Sequence, residues 1–310
     1  AVPSGDKLLL RTLGSAAADA YTVGMPGYGD YDVLTRLVPE KAGGQSWLRR
    51  VQFNEICRPS YLALTTCLGY AITSNPVARA LIPWLQGATW VDCYESLRQF
   101  CPTNVSVHQY SVYEITRGPH QGKKILSFMG TDSTIQIAAD IDLISSGNLI
   151  RYFADGAEAA YNEVSEGFDI DYVTGHSLGG FLAEIVTDRT SLPGASFGAA
   201  GGYSPLYWNN LYDHGGYDNV EFDVVIHETD YTSQTFQNIV DIATDRRTSN
   251  IALNCKVHWT TNECSNPLTD CHSTAKYAKN CVSMYYQTSE GRPEVNENDE
   301  YVTNFDGIDV

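Results

Sequence analysis

Between Tyr172 and Thr190 the chain passes from a short β-branched and aromatic run, through Gly175-His176-Ser177-Leu178-Gly179-Gly180, into a stretch of helical periodicity. A strand that enters a helix through so few residues must turn sharply. The glycines mark positions where the strained backbone leaves no room for a side chain. Ile170 to Thr174 reads as the strand, and Gly180 to Thr190 as the helix. The Gly-x-Ser-x-Gly spacing sets a serine on that turn, so Ser177 is the candidate nucleophile, with a structural glycine turn as the alternative. His176 is adjacent, but neighbours on a sharp turn point apart. A base for Ser177 is therefore expected from a distant loop.

The rest of the chain repeats the same texture from Val107 onward. Tyr110 to Ile115, Lys124 to Phe128, Ala195 to Phe197 and Phe222 to His227 have strand character, and Ile150 to Val164 has helical spacing. This alternation predicts an α/β fold, a mostly parallel or mixed sheet flanked by helices. Residues 1–105 look mainly helical and form a cysteine-bearing N-terminal extension. Residues 106–287 form the α/β core, and 288–310 an acidic tail poor in large aliphatics.

Charge narrows the partners. The 310 residues carry 37 acidic and 20 basic side chains, a net charge of -17, which repels phosphate backbones and argues against nucleic acid. The eight cysteines form two local sets: Cys57, Cys67, Cys93 and Cys101, then Cys255, Cys264, Cys271 and Cys281. No Cys-x-x-Cys knuckle occurs, so disulfides within each set are expected rather than a metal site. Disulfides, the sequon Asn104-Val105-Ser106 and a beginning at Ala1-Val2-Pro3 that looks processed together predict a secreted glycoprotein. The most apolar stretch, Tyr61 to Leu85, is interrupted by polar residues, so a buried helix is expected and no transmembrane segment.

Three segments in fixed order resemble one family. Gly175-His176-Ser177-Leu178-Gly179-Gly180 with Phe181-Leu182-Ala183, Phe128-Met129-Gly130-Thr131, and Cys271-His272-Ser273-Thr274-Ala275-Lys276-Tyr277 are similar to motifs of the class 3 lipases, the fungal triacylglycerol lipase type with its plant and protist relatives, the last segment resembling the plant members. The likeness spans about residues 122 to 280. It implies the α/β-hydrolase fold, an oxyanion donor at Thr131 and a catalytic base at His272. Met129 departs from the arginine usual in the family, and the segment after Asp230 departs from its Asp-x-Val-Pro pattern.

The remaining roles follow from chain order, which in this fold runs serine, acid, histidine. Asp230, just beyond the strand Val224 to Glu228, is the expected acid, with Glu228 and Asp223 as rivals. His258 is the alternative to His272 as base, and the backbone N–H of Leu178 the second oxyanion donor. Ile137, Ile141 and Ile144 fall at i, i+4 and i+7, an apolar helical face. The family carries a lid helix there; core helix is the alternative. A lid would imply transient contact with a lipid interface and long acyl esters as substrates. Soluble or aromatic esters of the feruloyl type, or an inactive binding module, are the other readings. No cofactor is expected, and the acidic tail from Asn296 to Asp309 lacks calcium-loop spacing.

Overall fold

The structure, a computed structural model, describes residues 4–22, 48–54, 61–74, 89–100, 109–130, 148–199, 203–204, 209–210, 222–227, 256–260 and 284–286. In chain order the helices are α1 (Ser4–Asp19), α2 (Tyr61–Ser74), α3 (Trp90–Phe100), α4 (Asn148–Ser165) and α5 (Leu178–Thr190). A single 3-10 turn, Ala20–Thr22, follows α1. The strands are β1 (Leu48–Phe53), β2 (Tyr110–Ile115), β3 (Lys124–Phe128), β4 (Tyr172–His176), β5 (Gly194–Phe197), β6 (Tyr203–Ser204), β7 (Asn209–Asn210), β8 (Phe222–His227), β9 (Lys256–Thr260) and β10 (Met284–Tyr286).

Apart from the small β6–β7 pair, the described strands join one mixed sheet in the order β1-β2-β3-β4-β5-β8-β9-β10. The central five, β3, β4, β5, β8 and β9, run parallel, and antiparallel strands complete both sides. Helices lie on both faces, as the alternation in the sequence predicts.

Strand order decides which helix covers which face. The sheet is laid down in one direction, and crossovers between parallel strands are right-handed almost without exception. The helices following β3 and β4 must therefore land on the same side. They do: Leu149, Phe153, Ala154, Ala157, Ala160 and Val164 of α4 share one buried cluster with Phe181, Leu182, Ile185 and Val186 of α5. The sheet contributes Leu126, Phe128, Val173, Phe222 and Val224 to it. On this side α5 is buried from Leu178 through Asp188, being enclosed between sheet and outer helix. The disulfide Cys67–Cys93 ties α2 to α3 beside this cluster. It lies within the first local cysteine set, and closing a 26-residue separation is worth about 3.5 kcal/mol on chain-entropy grounds.

The opposite face falls to α1. Leu10, Leu13, Ala16 and Ala17 pack on Tyr113, Ile115, Ile125, Ala195, Phe197 and Val225. Small residues bring this helix close to the sheet: a Cβ at Gly14 would sit 3.1 Å from the Phe197 ring. The approach lets buried sheet hydroxyls donate to helix carbonyls, Ser127 Oγ to Ala16 at 3.1 Å and Thr174 Oγ1 to Leu13 at 3.3 Å. Each supplies the hydrogen bond that a buried hydroxyl needs. Helix α1 is thus one of the three layers.

At the end of α1, Asp19 is buried against Arg50 and Tyr113. Its carboxylate forms an ion pair with Arg50 and accepts a 2.7 Å bond from the Tyr113 hydroxyl. Arg50 also lies over the Tyr113 ring, 5.7 Å from its centroid. Burial, and then the Asp19 charge, push the Tyr113 hydroxyl well above its usual pKa, so it stays protonated and donating. Arg50 comes from β1, which the helical expectation for residues 1–105 overlooked. The consecutive arginines Arg49 and Arg50 hide the strand's alternation. Arg49 faces Glu114 across the pair at 2.7 Å, while Arg50 turns inward to Asp19.

Removing one partner of a buried ion pair costs about 3–5 kcal/mol, against about 1 kcal/mol or less for an exposed pair. Asp19→Ala is accordingly expected to lower unfolding free energy by about 3–5 kcal/mol. Glu114→Ala, which breaks the exposed pair with Arg49, is expected to cost about 1 kcal/mol or less. Urea denaturation of both variants checks the contrast, and equal losses would contradict it.

Candidate active site

Five parallel strands bring five carboxyl ends to one edge of the sheet. In register, His176 pairs with Phe197, and Phe197 with Val225. Ser177 follows at this edge, between the last residue of β4 and the first of α5. Its amide still donates to the Phe197 carbonyl at 2.9 Å, and its own carbonyl accepts from Phe181 N–H at 3.1 Å. One residue therefore finishes the strand ladder and begins the helix. The backbone at this residue adopts φ 57° and ψ -126°, outside the left-handed helical region as well as the β region. For a residue with a Cβ such a conformation costs about 1–3 kcal/mol and persists only where the surroundings over-determine it.

The surroundings do so by close approach. A Cβ on Gly175 would lie 2.2 Å from the Gly179 carbonyl oxygen, and one on Gly179 would lie 2.2 Å from the Phe128 carbonyl oxygen. These are backbone contacts, so no rotamer change could relieve them. Both glycines of the motif are required by packing around the serine. Gly130, two residues beyond β3, presses on it: a Cβ there would lie 3.1 Å from Ser177 Cβ and 2.4 Å from the His176 carbonyl oxygen.

Ser177 also holds the N-cap position of α5, where a serine ordinarily caps with its side chain. Here it forms no side-chain cap bond. The residue is partly exposed while Gly175, His176, Leu178 and Gly179 around it are buried. Leu178, as first residue of α5, has an N–H with no carbonyl one turn earlier in the helix. A donor of this kind beside a strained serine can hold a developing oxyanion.

His176 is 3% exposed, and its Nδ1 is hydrogen-bonded to the Tyr21 hydroxyl at 2.9 Å. Tyr21 was missed in the sequence, because 155 residues separate the partners and no local pattern links them. A second buried polar pair joins the helix behind the serine to β5, with Ser196 Oγ donating to Glu184 at 2.6 Å. Glu184 is fully buried, and the helical spacing of the sequence does not single it out.

Among the other predicted residues, Asp223 lies in β8 opposite Ala195, which pairs with Thr174. It is thus set back by three residues, about 10 Å along the strand direction, from the level of Ser177. His258 is in β9, where its backbone pairs with Val225 and Tyr286. Thr131, Ile137, Ile141, Ile144, Glu228, Asp230 and His272 lie outside the described residues. In sequence, Thr131 comes three residues after β3 and Asp230 three after β8, two strands whose carboxyl ends share the edge of Ser177.

Comparison with known protein families and with curated protein sequences finds no match for this chain. Among the described residues no helix is long and apolar enough to cross a membrane.

Two glycine substitutions separate packing at this turn from ordinary helix propensity. Gly179→Ala drives a Cβ into the Phe128 backbone and is expected to destabilise by about 3 kcal/mol or more. Gly69→Ala lies within α2, where an added Cβ meets nothing within 4 Å. It is expected to stabilise by about 0.5–1 kcal/mol. Thermal unfolding of the two variants should give shifts of opposite sign.

Proposed function

We propose that this chain is a serine carboxylic-ester hydrolase of the α/β-hydrolase type, cleaving acyl esters of lipids through an acyl-enzyme. The observation that carries this reading is the backbone of Ser177, φ 57° and ψ -126°, on a glycine-packed strand-to-helix turn. Strain of this kind is not needed to join a strand to a helix. It is kept where a hydroxyl must be presented at a strand end. The three-segment resemblance to class 3 lipases supports the same assignment and supplies the remaining parts.

In the proposed reaction His272, oriented by Asp230, takes the proton from Ser177 Oγ as that oxygen attacks the ester carbonyl. The tetrahedral oxyanion is held by the N–H groups of Leu178 and Thr131, with the Thr131 hydroxyl as a further donor. His272 then protonates the leaving alcohol. In the second half a water, deprotonated by His272, attacks the acyl carbonyl and releases the acid and Ser177. The helical face of Ile137, Ile141 and Ile144, acting as a lid, would favour long acyl chains presented at an interface. The net charge of -17 fits neutral or zwitterionic substrates better than anionic ones. Disulfide formation, consistent with the Cys67–Cys93 bridge, suits an oxidising, secreted setting.

The test uses the full chain with a fluorescent alkyl phosphonate and with p-nitrophenyl esters of increasing chain length. Stoichiometric labelling of Ser177 is expected, together with loss of turnover by at least about a thousandfold in Ser177→Ala. Activity on long-chain esters is expected to rise steeply above their aggregation threshold. Best turnover of short or aromatic esters with no rise at the threshold would assign a soluble-ester enzyme instead. Full activity in Ser177→Ala would refute the mechanism.

A further inference from the structure

The 3-10 turn after α1 carries Tyr21 from the N-terminal segment to the residue that precedes the proposed nucleophile. Its ring meets the His176 ring edge-on, with centroids 5.8 Å apart, and its hydroxyl lies 2.9 Å from His176 Nδ1. The same hydroxyl is 3.5 Å from the His176 carbonyl oxygen. The shorter contact is the stronger, so the ring nitrogen is the principal partner.

That carbonyl belongs to the peptide joining His176 to Ser177, whose orientation sets the strained φ of the serine. The N–H of the same peptide donates to Phe197 at 2.9 Å. Its carbonyl side is confined by Gly130, whose added Cβ would lie 2.4 Å from the carbonyl oxygen and 1.9 Å from the Tyr21 hydroxyl. Tyr21, Gly130 and the His176 carbonyl thus close around one point, next to Ser177 Cβ. The sheet pins one end of the peptide, and Tyr21 backs the other.

We infer that Tyr21 is a positioning residue for Ser177, acting through His176 and Gly130; this rests on the serine-hydrolase reading above. The bond to the His176 ring and the packing on Gly130 keep the 176–177 peptide from relaxing out of its strained orientation. Gly130 also sits against Ser177 Cβ, so the same hydroxyl helps to fix where the nucleophile stands. Errors well below 1 Å in that placement matter for attack. The residue touches no reacting atom and acts on kcat.

The experiment compares wild type, Tyr21→Phe, His176→Phe and the double variant on a soluble short-chain ester. Each rate is divided by the number of Ser177 sites titrated with the alkyl phosphonate. This normalisation removes any loss of folded protein, and thermal unfolding is recorded alongside. Tyr21→Phe is expected to lower kcat per titrated site about tenfold with KM changed less than twofold. His176→Phe should show a similar loss, and the double variant no more than the larger single loss. An unchanged kcat per site in Tyr21→Phe, with wild type labelled at Ser177, overturns the positioning role alone. So does a rise in KM at constant kcat, which would make Tyr21 a substrate contact. Losses that multiply in the double variant overturn the route through His176. Failure of wild type to label at Ser177 overturns the hydrolase reading, and the positioning role with it.

Discussion

A parallel sheet must be covered on both faces, yet one built in a single direction has all its right-handed crossovers on one side. Here α4 and α5 take that side, and the other face, lined by Ile125, Ala195, Phe197 and Val225, has to be covered by a segment from elsewhere in the chain. α1 meets the requirement. Its small residues allow a close approach, and sheet hydroxyls at Ser127 and Thr174 use its carbonyls as acceptors. The buried group of Asp19, Arg50 and Tyr113 then fixes where the helix ends. A helix needed for coverage is thereby locked at its carboxyl end, two residues before Tyr21.

This coupling of layers reaches the serine turn. The strain at Ser177 is sustained by contacts from four directions: β5 through Phe197, the end of β3 and the residues after it through Phe128 and Gly130, α5 through Gly179, and the turn after α1 through Tyr21 and His176. Each contact is short range and mostly between backbones, so each tolerates little displacement. A conformation costing about 1–3 kcal/mol is affordable because it is shared among many such constraints. Damage to the N-terminal layer should therefore weaken the site without touching it.

Polar groups do much of the work of specifying this packing. Glu184 with Ser196, Asp19 with Arg50 and Tyr113, and Tyr21 with His176 are each buried or partly buried and each joins two elements. Surface pairs such as Arg189 with Asp155 and Glu158, whose carboxylates remain largely in water, contribute far less. Inside the protein, misplacing one partner leaves a desolvated polar group. A wrong register is thus penalised more heavily than in an apolar core.

What could be read in the sequence was whatever local periodicity or a tight motif encodes. β2, β3, β5 and β8, the body of α4, and the turn at Ser177 fall where β-branched runs, helical spacing and paired glycines predict them. β1 was hidden by its adjacent arginines, which make sense only once Glu114 and Asp19 are beside them. β10, of three residues, is too short to announce itself, and β9 was not singled out in the sequence either. The sequence by itself determined the α/β class, the strand-to-helix turn and the serine on it, because residues within one turn of each other need no third party. Only the tertiary structure decided that α1 is a layer of the core, that Asp223 is set back from the site's edge, and that Tyr21 stands behind Ser177. Those depend on strand order, register and a contact 155 residues apart, which a linear pattern does not encode.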